Sequence, residues 1–380
     1  MDVIEVLEGG LFTTVQDLGR YGYQRYGVPV CGAMDRFALR AANILVGNQE
    51  GDAGLEITLA GPRLRFLADT IIAITGADLD PRLDDGPVAT WQAVAASQGS
   101  TLSFTGMRDG MRAYLAVARG IDVPEILGSR STYTRSRLGM AESRPLLAGD
   151  RLSASGDSPA TLVEGRRLAE QHVPTYGQHH VLRVMMGPQE DAFTPEGIQT
   201  FLSSTYTVTP QSDRVGYRFQ GPRIQHKRGH DIVSDGSPLG GVQVPGGGLP
   251  IVLLADRGTT GGYTKIATVI SVDLARLAQA IPGDTVSFQS TTVEEAHEAL
   301  RQQEVVLQQL RNTSPTVFTR RRFRARVNDD AYEVMTGLEE AAPRPSSREA
   351  GALPVRRVVR ATVDGETYTF EIEVEGDASR

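Results

Sequence analysis

The stretch at residues 54–80, GLEITLAGPRLRFLADTIIAITGADLD, decides the fold class of this chain. Its apolar runs are short, and Gly, Pro or Asp separates one run from the next. Runs of about four to eight residues bounded by such turn formers are typical of β-strands joined by tight turns. Similar runs recur along the chain as STLSFTG, MRAYLAVARG and HHVLRVMMGPQ. We therefore expect a mostly β fold with a few helices that plug or flank β-barrels.

Three segments have helical periodicity. MDRFALRAANILVGN places apolar side chains on one face, with Asp35 as the N-cap and Gly47 as the stop. SVDLARLAQAIPGD predicts a short helix that Pro282 ends. VEEAHEALRQQEVVLQQLRN predicts a longer amphipathic helix.

A faint internal repeat indicates two related halves. LAGPRLRF at residues 59–66 recurs as FQGPRIQH at residues 219–226, each interpreted as a strand that runs through Gly-Pro-Arg. Each half also closes on a strand entered by Gly-Asp, in AGDRLSA and PGDTVSF. A polar segment at residues 158–177 separates the halves. The predicted domains are residues 1–175 and 176–312, the second with a closing helix.

The sequence changes character after Asn312. Two similar strand pairs, RARVNDDAYEV and RATVDGETYTF, carry predicted turns at residues 328–329 and 364–365. The linker between them, APRPSSREAGALP, is predicted to be flexible. Residues 313–380 are thus predicted to form an appended β-hairpin module. Because this module has no lysine, it cannot be a biotinylated carrier, and a docking or packing role remains.

Composition excludes several classes of protein. The net charge of −7 argues against nucleic acid as an electrostatic partner. A single cysteine, Cys31, excludes an internal disulfide framework and suits a reducing compartment. The start, MDVIEVLEGG, lacks the features of a signal peptide, and no apolar run approaches the length of a membrane helix. We expect a soluble cytoplasmic protein.

Two clusters are rich in arginine. In TTVQDLGRYGYQRYGVPVCGAMDRF, Arg20 lies among glycines that lead into a helix start, where backbone N–H groups favour an anion, although Asp35 can instead cap that start. In SDRVGYRFQGP, Arg214 and Arg218 are predicted to face the same side of a strand. There they either hold a carboxylate or phosphate or guard an exposed strand edge.

The third cluster ends in LADRGTTGGYTKI, residues 254–266. Residues 259–263 supply hydroxyls and successive N–H groups for a concave anion nest, and the alternative is a simple turn between two strands. Gln243 lies upstream in a predicted strand, where a buried amide needs a partner. Lys265 is one of only two lysines, with Lys227, in a chain that otherwise uses arginine. Lysine, unlike arginine, readily shifts its pKa and can act as an acid or base.

Metal binding is not predicted. His226 and His230 are four residues apart, but no Glu follows in an HEXXH frame and Gly229 weakens a helix there. Cys31 has no CXXC partner and follows the apolar Val30, which suits a packed thiol.

Taken together, the clusters resemble the carboxyltransferase family, subdomains A and B, also called allophanate hydrolase subunit 2. The resemblance covers about residues 4 to 288. It is carried by QDLGRYGYQRYGVPVCGAMDRFALRAANILVGN, STYTRSRLG, SDRVGYRFQGP, DIVSDG, GGVQVP and LADRGTTGGYTKI. The family includes the C-type component of bacterial 5-oxoprolinase, the antagonist of the Kip kinase inhibitor and part of the carboxyltransferase region of urea carboxylase.

The resemblance implies two tandem cyclophilin-like β-barrels and a partner that is the B-type (Kip inhibitor type) component of 5-oxoprolinase. In the 5-oxoprolinase branch a third protein, the A-type component, joins, and ATP with Mg drives the opening of 5-oxoproline to glutamate. In the urea branch a carboxyl group passes from carboxybiotin to urea, so biotin is expected only there. The leading hypothesis is the ATP-dependent hydrolase. The alternatives are part of a biotin-dependent carboxyltransferase and a regulatory protein that binds a kinase inhibitor.

Either reaction requires cationic and N–H groups directed at developing negative charge. The candidate catalytic residues are Lys265, Asp235, Asp256 and Arg257. The candidate substrate-binding residues are Arg20, Arg214, Arg218, Gln243, Thr259, Thr260, Gly261, Gly262 and Tyr263.

The chain departs from the family pattern at two positions. Gly258 and Thr264 stand where the family commonly has glutamine and proline. If that glutamine contacts substrate, its loss shifts specificity or marks a non-catalytic relative.

Overall fold

The structure is a computed structural model of the chain. It describes residues 2–136, 138–139, 143–155 and 163–313. It also describes segments 316–327, 330–340, 355–363 and 366–374, and for these, as for residues 163–164, the description is of the backbone.

The first half is built from short strands and one helix. In chain order they are β1 (Asp2–Glu8), β2 (Phe12–Gln16), α1 (Arg36–Leu45), β3 (Gly54–Thr58), β4 (Arg63–Phe66), β5 (Thr70–Asp78), β6 (Pro81–Leu83), β7 (Gly86–Pro87), β8 (Ala93–Ala96), β9 (Thr101–Phe104), β10 (Asp109–Val117), β11 (Ile121–Asp122) and β12 (Arg151–Ala154). A short strand, β13 (Val163–Glu164), follows.

These strands form two sheets with a common core. One sheet has the order β11-β12-β1-β4-β9-β6-β7 and the other β2-β3-β10-β5-β8. Fully buried residues from both sheets, such as Ile4 and Leu64 from the first and Ile57 and Leu115 from the second, belong to one apolar cluster. Strand β4 alternates between buried and exposed residues, whereas β3 and β5 are buried along almost their whole length.

The second half closes into a barrel. Its elements are β14 (His179–Met186), α2 (Pro195–Ser203), β15 (Thr205–Val208), β16 (Gly216–Gln220), β17 (Asp231–Gly236), β18 (Gly241–Gln243), β19 (Ile251–Leu253), β20 (Thr260–Tyr263), β21 (Lys265–Val269), α3 (Leu274–Gln279), β22 (Thr285–Ser290) and α4 (Val293–Asn312). The barrel order is β14-β21-β18-β19-β16-β15-β22, and a parallel β14–β22 pair closes it. The prediction of a mostly β protein with tandem β domains is confirmed, with four α-helices in the described segments.

A separate two-stranded ribbon stands beside the barrel. It consists of β17 and β20, with Asp231 opposite Tyr263 and Asp235 opposite Gly261. Strand β17 is largely exposed, and Val233 is 93% exposed. Because β20 continues almost directly into β21, the ribbon brings its own residues to the edge of the barrel.

The Gly-Asp half of the predicted repeat is confirmed. Asp150 and Asp284 accept from the backbone N–H three residues earlier, at 2.8 and 2.9 Å, and each precedes a strand, β12 or β22. The prediction that each Gly-Pro-Arg lies within a strand is wrong. Pro62 lies between β3 and β4, and Pro222 follows the end of β16, since proline has no N–H for a ladder.

Three predicted helices are present and one more was missed. The Asp35 carboxylate caps α1 by accepting from Ala38 N at 2.9 Å. The long helix α4 begins with a Thr292–Glu295 capping box and packs back on α1. Helix α2 was not predicted, although Thr194 caps it and Pro195 begins it.

The chain past residue 316 continues as strands β23 (Thr316–Val327), β24 (Asp330–Glu340), β25 (Val355–Val363) and β26 (Glu366–Val374). These strands pair antiparallel in chain order, β23 with β24, β24 with β25 and β25 with β26. Strand β23 also pairs antiparallel with β13. The predicted turn residues 328–329 and 364–365 and the linker at 342–354 lie outside the described residues. No helix in the described part of the chain has the length and apolar character needed to cross a bilayer.

Candidate active site at the mouth of the second barrel

Lys265 is buried where β21 begins. Its side chain is 2% exposed, and its Nζ lies 3.4 Å from Asp235 Oδ2. No other hydrogen-bond partner of this ammonium group is present among the described residues. Since an ammonium group carries three donors, two of them remain for a ligand.

Asp235 reaches Lys265 from the ribbon. The Gly236 N–H donates to its carboxylate at 2.7 Å. This hydrogen bond, followed by the charge of Lys265, lowers the pKa of Asp235 below its ordinary value. Asp235 is therefore ionised at neutral pH and can orient the ammonium group or accept a proton.

Gln243 completes the arrangement from the end of β18. It is 7% exposed, and its side-chain amide has no hydrogen-bond partner among the described residues. A Cβ at Gly261 would lie 2.4 Å from Gln243 Nε2 and 3.2 Å from Ser237 Oγ, so the ribbon packs closely on this amide and a side chain at 261 would require Gln243 to move. We call Lys265, Asp235, Gln243, Ser237 and Gly261 the lysine site.

The predicted anion nest is not present. Residues 260–263 form strand β20, and neither Gly258, Gly261 nor Gly262 has a positive φ. A nest needs alternating right- and left-handed backbone, which a paired strand lacks. Thr260 and Tyr263 are exposed on the ribbon, and the Thr259 carbonyl accepts from Ser237 N at 3.0 Å.

Arg214 and Asp256 form a buried ion pair at the junction of the two halves. Arg214 Nε donates to Asp256 Oδ2 at 2.9 Å, and Nη2 donates to Asp256 Oδ1 at 3.0 Å. Arg214 Nη1 also donates to Glu56 of β3, and Nη2 to the Gly32 carbonyl at 2.7 Å. These contacts occupy the guanidinium group and join the two halves.

The prediction that Arg214 and Arg218 share a strand face is wrong. Strand β16 begins at Gly216, so Arg214 precedes it and strand alternation does not relate the two residues. Arg218 is exposed, whereas Arg214 is 7% exposed.

Two other candidate arginines make no hydrogen bond or ion pair with Lys265 or Asp235 among the described residues. Arg257 is buried and lines a cavity whose walls do not include Lys265. Arg20 is fully buried and donates through Nη2 to the Ser131 carbonyl, while its Nε and Nη1 have no partner among the described residues. The structure therefore unites Lys265, Asp235, Gln243 and Gly261. Of the predicted arginines, Arg257 reaches this group through the Ser237 carbonyl, to which its Nε donates at 2.8 Å.

Sequence reasoning missed Gln189 and Ser237. Gln189 Oε1 accepts from Lys265 N at 3.0 Å, and the nearby Gln189 side chain makes a small contribution to the lowered pKa of Asp235. Ser237 carries its hydroxyl beside Gly261. Neither residue stands in a spacing pattern that could have identified it, although the DIVSDG motif ends next to Ser237.

The structure shows the surroundings of Thr264 and Gly258, the two departures from the family pattern. The Thr264 hydroxyl lies 3.1 Å from His226 Nε2, a contact that proline would remove. A Cβ at Gly258 would have the Thr260 carbonyl at 3.4 Å as its nearest neighbour, which is ordinary contact. A glutamine at 258 therefore fits the backbone found here.

Cys31 is predicted to be unreactive in the folded protein. It is 1% exposed, and burial, followed by the charge of Asp256, raises its pKa to about 12. Because the thiolate is the nucleophile, its fraction at pH 8 is about 10⁻⁴. An Ellman assay at pH 8 should show no fast reaction before denaturation and one thiol per chain afterwards. A fast reaction with the native protein would contradict this environment.

The sequence pattern that defines the carboxyltransferase domain, subdomain A and B, family matches residues 26–290. The chain belongs to this family.

Relatives of this carboxyltransferase-family chain have two kinds of name. The chain is 38% identical to the protein named as the C component of 5-oxoprolinase in Haemophilus influenzae, over 81% of this chain and 98% of that protein. It is 39% identical to the protein of the same name in Escherichia coli, over 81% and 97%. It is 31% identical to urea amidolyase of Lachancea kluyveri, over 91% of this chain but 20% of that protein.

Solved structures agree with the family assignment. The urea carboxylase of Kluyveromyces lactis superposes with a TM-score of 0.75 at 29% identity, covering 94% of this carboxyltransferase-family chain and 33% of the other. TTHA0988 superposes with a TM-score of 0.69 at 37% identity, covering 76% of this chain and 56% of the other.

Proposed function

We propose that this chain is one component of an ATP-dependent complex that hydrolyses a cyclic amide, with 5-oxoproline as substrate and glutamate as product. Similarity to two proteins named as the C component of 5-oxoprolinase, over nearly their whole length, supports the substrate. The observation that carries a catalytic role is the buried Lys265 ammonium, whose hydrogen-bond and ion-pair partner among the described residues is Asp235, at 3.4 Å.

The lysine site suits the chemistry of lactam opening. Negative charge develops on the amide oxygen as the ring opens, and buried donors directed at that charge are most effective where water is excluded. Lys265 can donate one N–H to this oxygen, and the Gln243 amide, which has no partner among the described residues, can donate another. Asp235, ionised at neutral pH, can hold Lys265 in place and accept a proton.

ATP belongs to the proposal as a co-substrate that activates the amide oxygen by phosphorylation. The proposed partners are the B-type and A-type components of 5-oxoprolinase, because the relatives are named as the C component of a larger enzyme. We assign no residue of this chain to the nucleotide. A cationic site of lysine and amide donors is compatible with either a carbonyl or a transferred phosphoryl oxygen.

The test is reconstitution. The chain is co-expressed with the B-type and A-type components, and glutamate release from 5-oxoproline is measured with and without ATP and Mg²⁺. ATP-dependent release that requires all three proteins supports the proposal. A stable, complete complex without turnover contradicts it.

Carboxyl transfer is the second candidate, because urea amidolyase relatives match 91% of this chain at 31% identity. The same donors would then polarise a ureido carbonyl, and turnover would depend on a biotinylated partner. A third candidate, a protein that only sequesters a kinase inhibitor, predicts unchanged partner binding after Lys265→Ala. Avidin inhibition separates the second candidate from the first, and loss of turnover after Lys265→Ala eliminates the third.

A further inference from the structure

The cavity that Arg257 lines is at the junction of the two halves. Its volume is about 440 Å³, and it is bounded by α1, the loop after β19, α3 and α4. This volume falls within the range of about 300–1,000 Å³ that small-molecule sites occupy. We call it the junction cavity, and it is distinct from the lysine site because none of the five residues of that site lines it.

Two arginines of the junction cavity lack a counter-ion. Arg257 is 8% exposed and donates only to carbonyls, through Nε to Ser237 at 2.8 Å and through Nη1 to Leu254 at 3.2 Å. Arg36 donates through Nη2 to the Leu18 carbonyl at 3.2 Å. No carboxylate of the described residues lies within 4.0 Å of either guanidinium group.

The one acid of the cavity lining does not neutralise them. Glu50 pairs with Arg40 at 2.5 Å and also with Arg311. Arg40 in turn pairs with Glu304 at 2.5 Å, so these four charges balance one another. The charges of Arg36 and Arg257 remain, and both burial and Arg36 lower the pKa of Arg257.

A buried cation without a counter-ion is costly, and a bound anion offsets that cost for Arg257. Arg36, which is partly exposed and whose Cζ lies 5.6 Å from the centroid of the Tyr21 ring, adds a second positive charge to the same cavity. Arg257 Nη2, which has no hydrogen-bond partner among the described residues, is available to such an anion. Both guanidinium groups belong to the cavity lining, and the charge of Arg36 acts on Arg257, so an anion in the cavity is attracted by both.

The rest of the lining is mainly apolar. It includes Leu18, Phe37, Leu254, Leu274 and Leu300. A bare inorganic anion would leave these side chains in contact with water, whereas an apolar body would cover them. The lining therefore selects a ligand with a charged end and an apolar body.

We propose that the junction cavity binds a small amphiphilic anion, with its carboxylate or phosphate between Arg36 and Arg257 and its apolar body against the leucines. This site goes beyond the proposed hydrolysis, because neither Lys265 nor Asp235 lines the cavity.

Calorimetry on the full chain tests the proposal with defined probes. Octanoate and octyl phosphate, below their micelle concentrations, represent the two anionic groups. Acetate supplies the charge without the body, and octanol supplies the body without the charge. Saturable binding of either amphiphile, at least about 10-fold tighter than that of acetate or octanol, supports the site. No saturable binding of either amphiphile overturns it.

Two variants locate the bound anion. Arg36→Gln should weaken amphiphile binding by about 10-fold or more, the effect of one charged hydrogen bond. Arg63→Gln is the matched control, because Arg63 is exposed on β4 and does not line the cavity, and its affinity should equal that of the wild type. Equal affinity in wild type and Arg36→Gln would overturn the proposal.

Thermal unfolding separates ligand binding from a structural role. Ligand-free Arg36→Gln should melt at or above the wild-type temperature, because the substitution removes an uncompensated charge beside Arg257. The octyl amphiphile should raise the melting temperature of the wild type and leave that of the variant nearly unchanged. A ligand-free variant that melts well below the wild type, with the ligand-induced shift retained, would show that Arg36 only supports the fold.

Discussion

Lys265→Met is expected to lower turnover of the reconstituted complex by about 10²–10³-fold, the range measured when one donor to a developing oxyanion is removed. The reason is the buried ammonium group, whose hydrogen-bond and ion-pair partner among the described residues is Asp235, at 3.4 Å. Methionine fills a similar volume without charge, so the barrel should keep its packing. The measurement is glutamate release from 5-oxoproline at saturating ATP.

The chain has a natural control for this experiment. Lys227, the other lysine, is exposed, and Lys227→Met should leave turnover unchanged. Both variants should co-purify with the partner proteins as the wild type does, and thermal unfolding should show that Lys265→Met is folded. A folded, assembled Lys265→Met complex with wild-type turnover would remove Lys265 from catalysis.

Arg214→Met is expected to lower the free energy of unfolding by about 3–5 kcal/mol, the usual effect of removing one member of a buried ion pair. Burial opposes ionisation of Glu56, yet Arg214 and then Arg112 outweigh it, so the pKa of Glu56 lies below its ordinary value. Without Arg214, both Glu56 and Asp256 would be buried carboxylates that lack their main partner. Urea unfolding of the isolated chain measures the loss.

The pH dependence of the unfolding free energy of Arg214→Met provides a second test. A buried carboxylate without its cation has a folded-state pKa above its unfolded value, so the variant should regain stability as the pH falls toward the ordinary carboxyl pKa. In the wild type the contribution of Glu56 should be lost only below the ordinary carboxyl pKa, because its folded-state pKa is lowered and it stabilises the fold only while it is ionised. Arg218→Met, at an exposed position, should change the unfolding free energy by less than about 0.5 kcal/mol. A similarly small effect of Arg214→Met would contradict the junction described here.

Local features of the fold were predictable from the sequence. The cap of α1 depends on Asp35 and the N–H three residues on, and Gly-Asp entries to β12 and β22 depend on a four-residue turn. Such contacts are encoded by neighbours in sequence. Helix α2 was missed because Gly197 disfavours a helix; the structure needs that glycine, since a Cβ there would lie 2.4 Å from the Gln225 carbonyl.

The candidate site was only partly predictable, because several of its contacts join residues that are far apart in the sequence. Lys265 stood out because lysine is rare in this chain, and the family motifs pointed to the same residue. The partner of Arg214 could not be found this way, because Glu56 is 158 residues away in the chain. Glycines at 258, 261 and 262 suggested a nest, but only tertiary structure shows that Gly261 provides room for the Gln243 amide.

The ribbon also determines how the protein responds to amine-modifying reagents. Of the two lysines in the chain, Lys227 is exposed, and Lys265 is enclosed beneath a ribbon that pairs only with itself in the described structure. Acylation of Lys265 therefore requires the ribbon to lift, whereas acylation of Lys227 does not. The ratio of the Lys265 labelling rate to the Lys227 labelling rate therefore measures how readily the ribbon opens, with Lys227 as the reference in every sample.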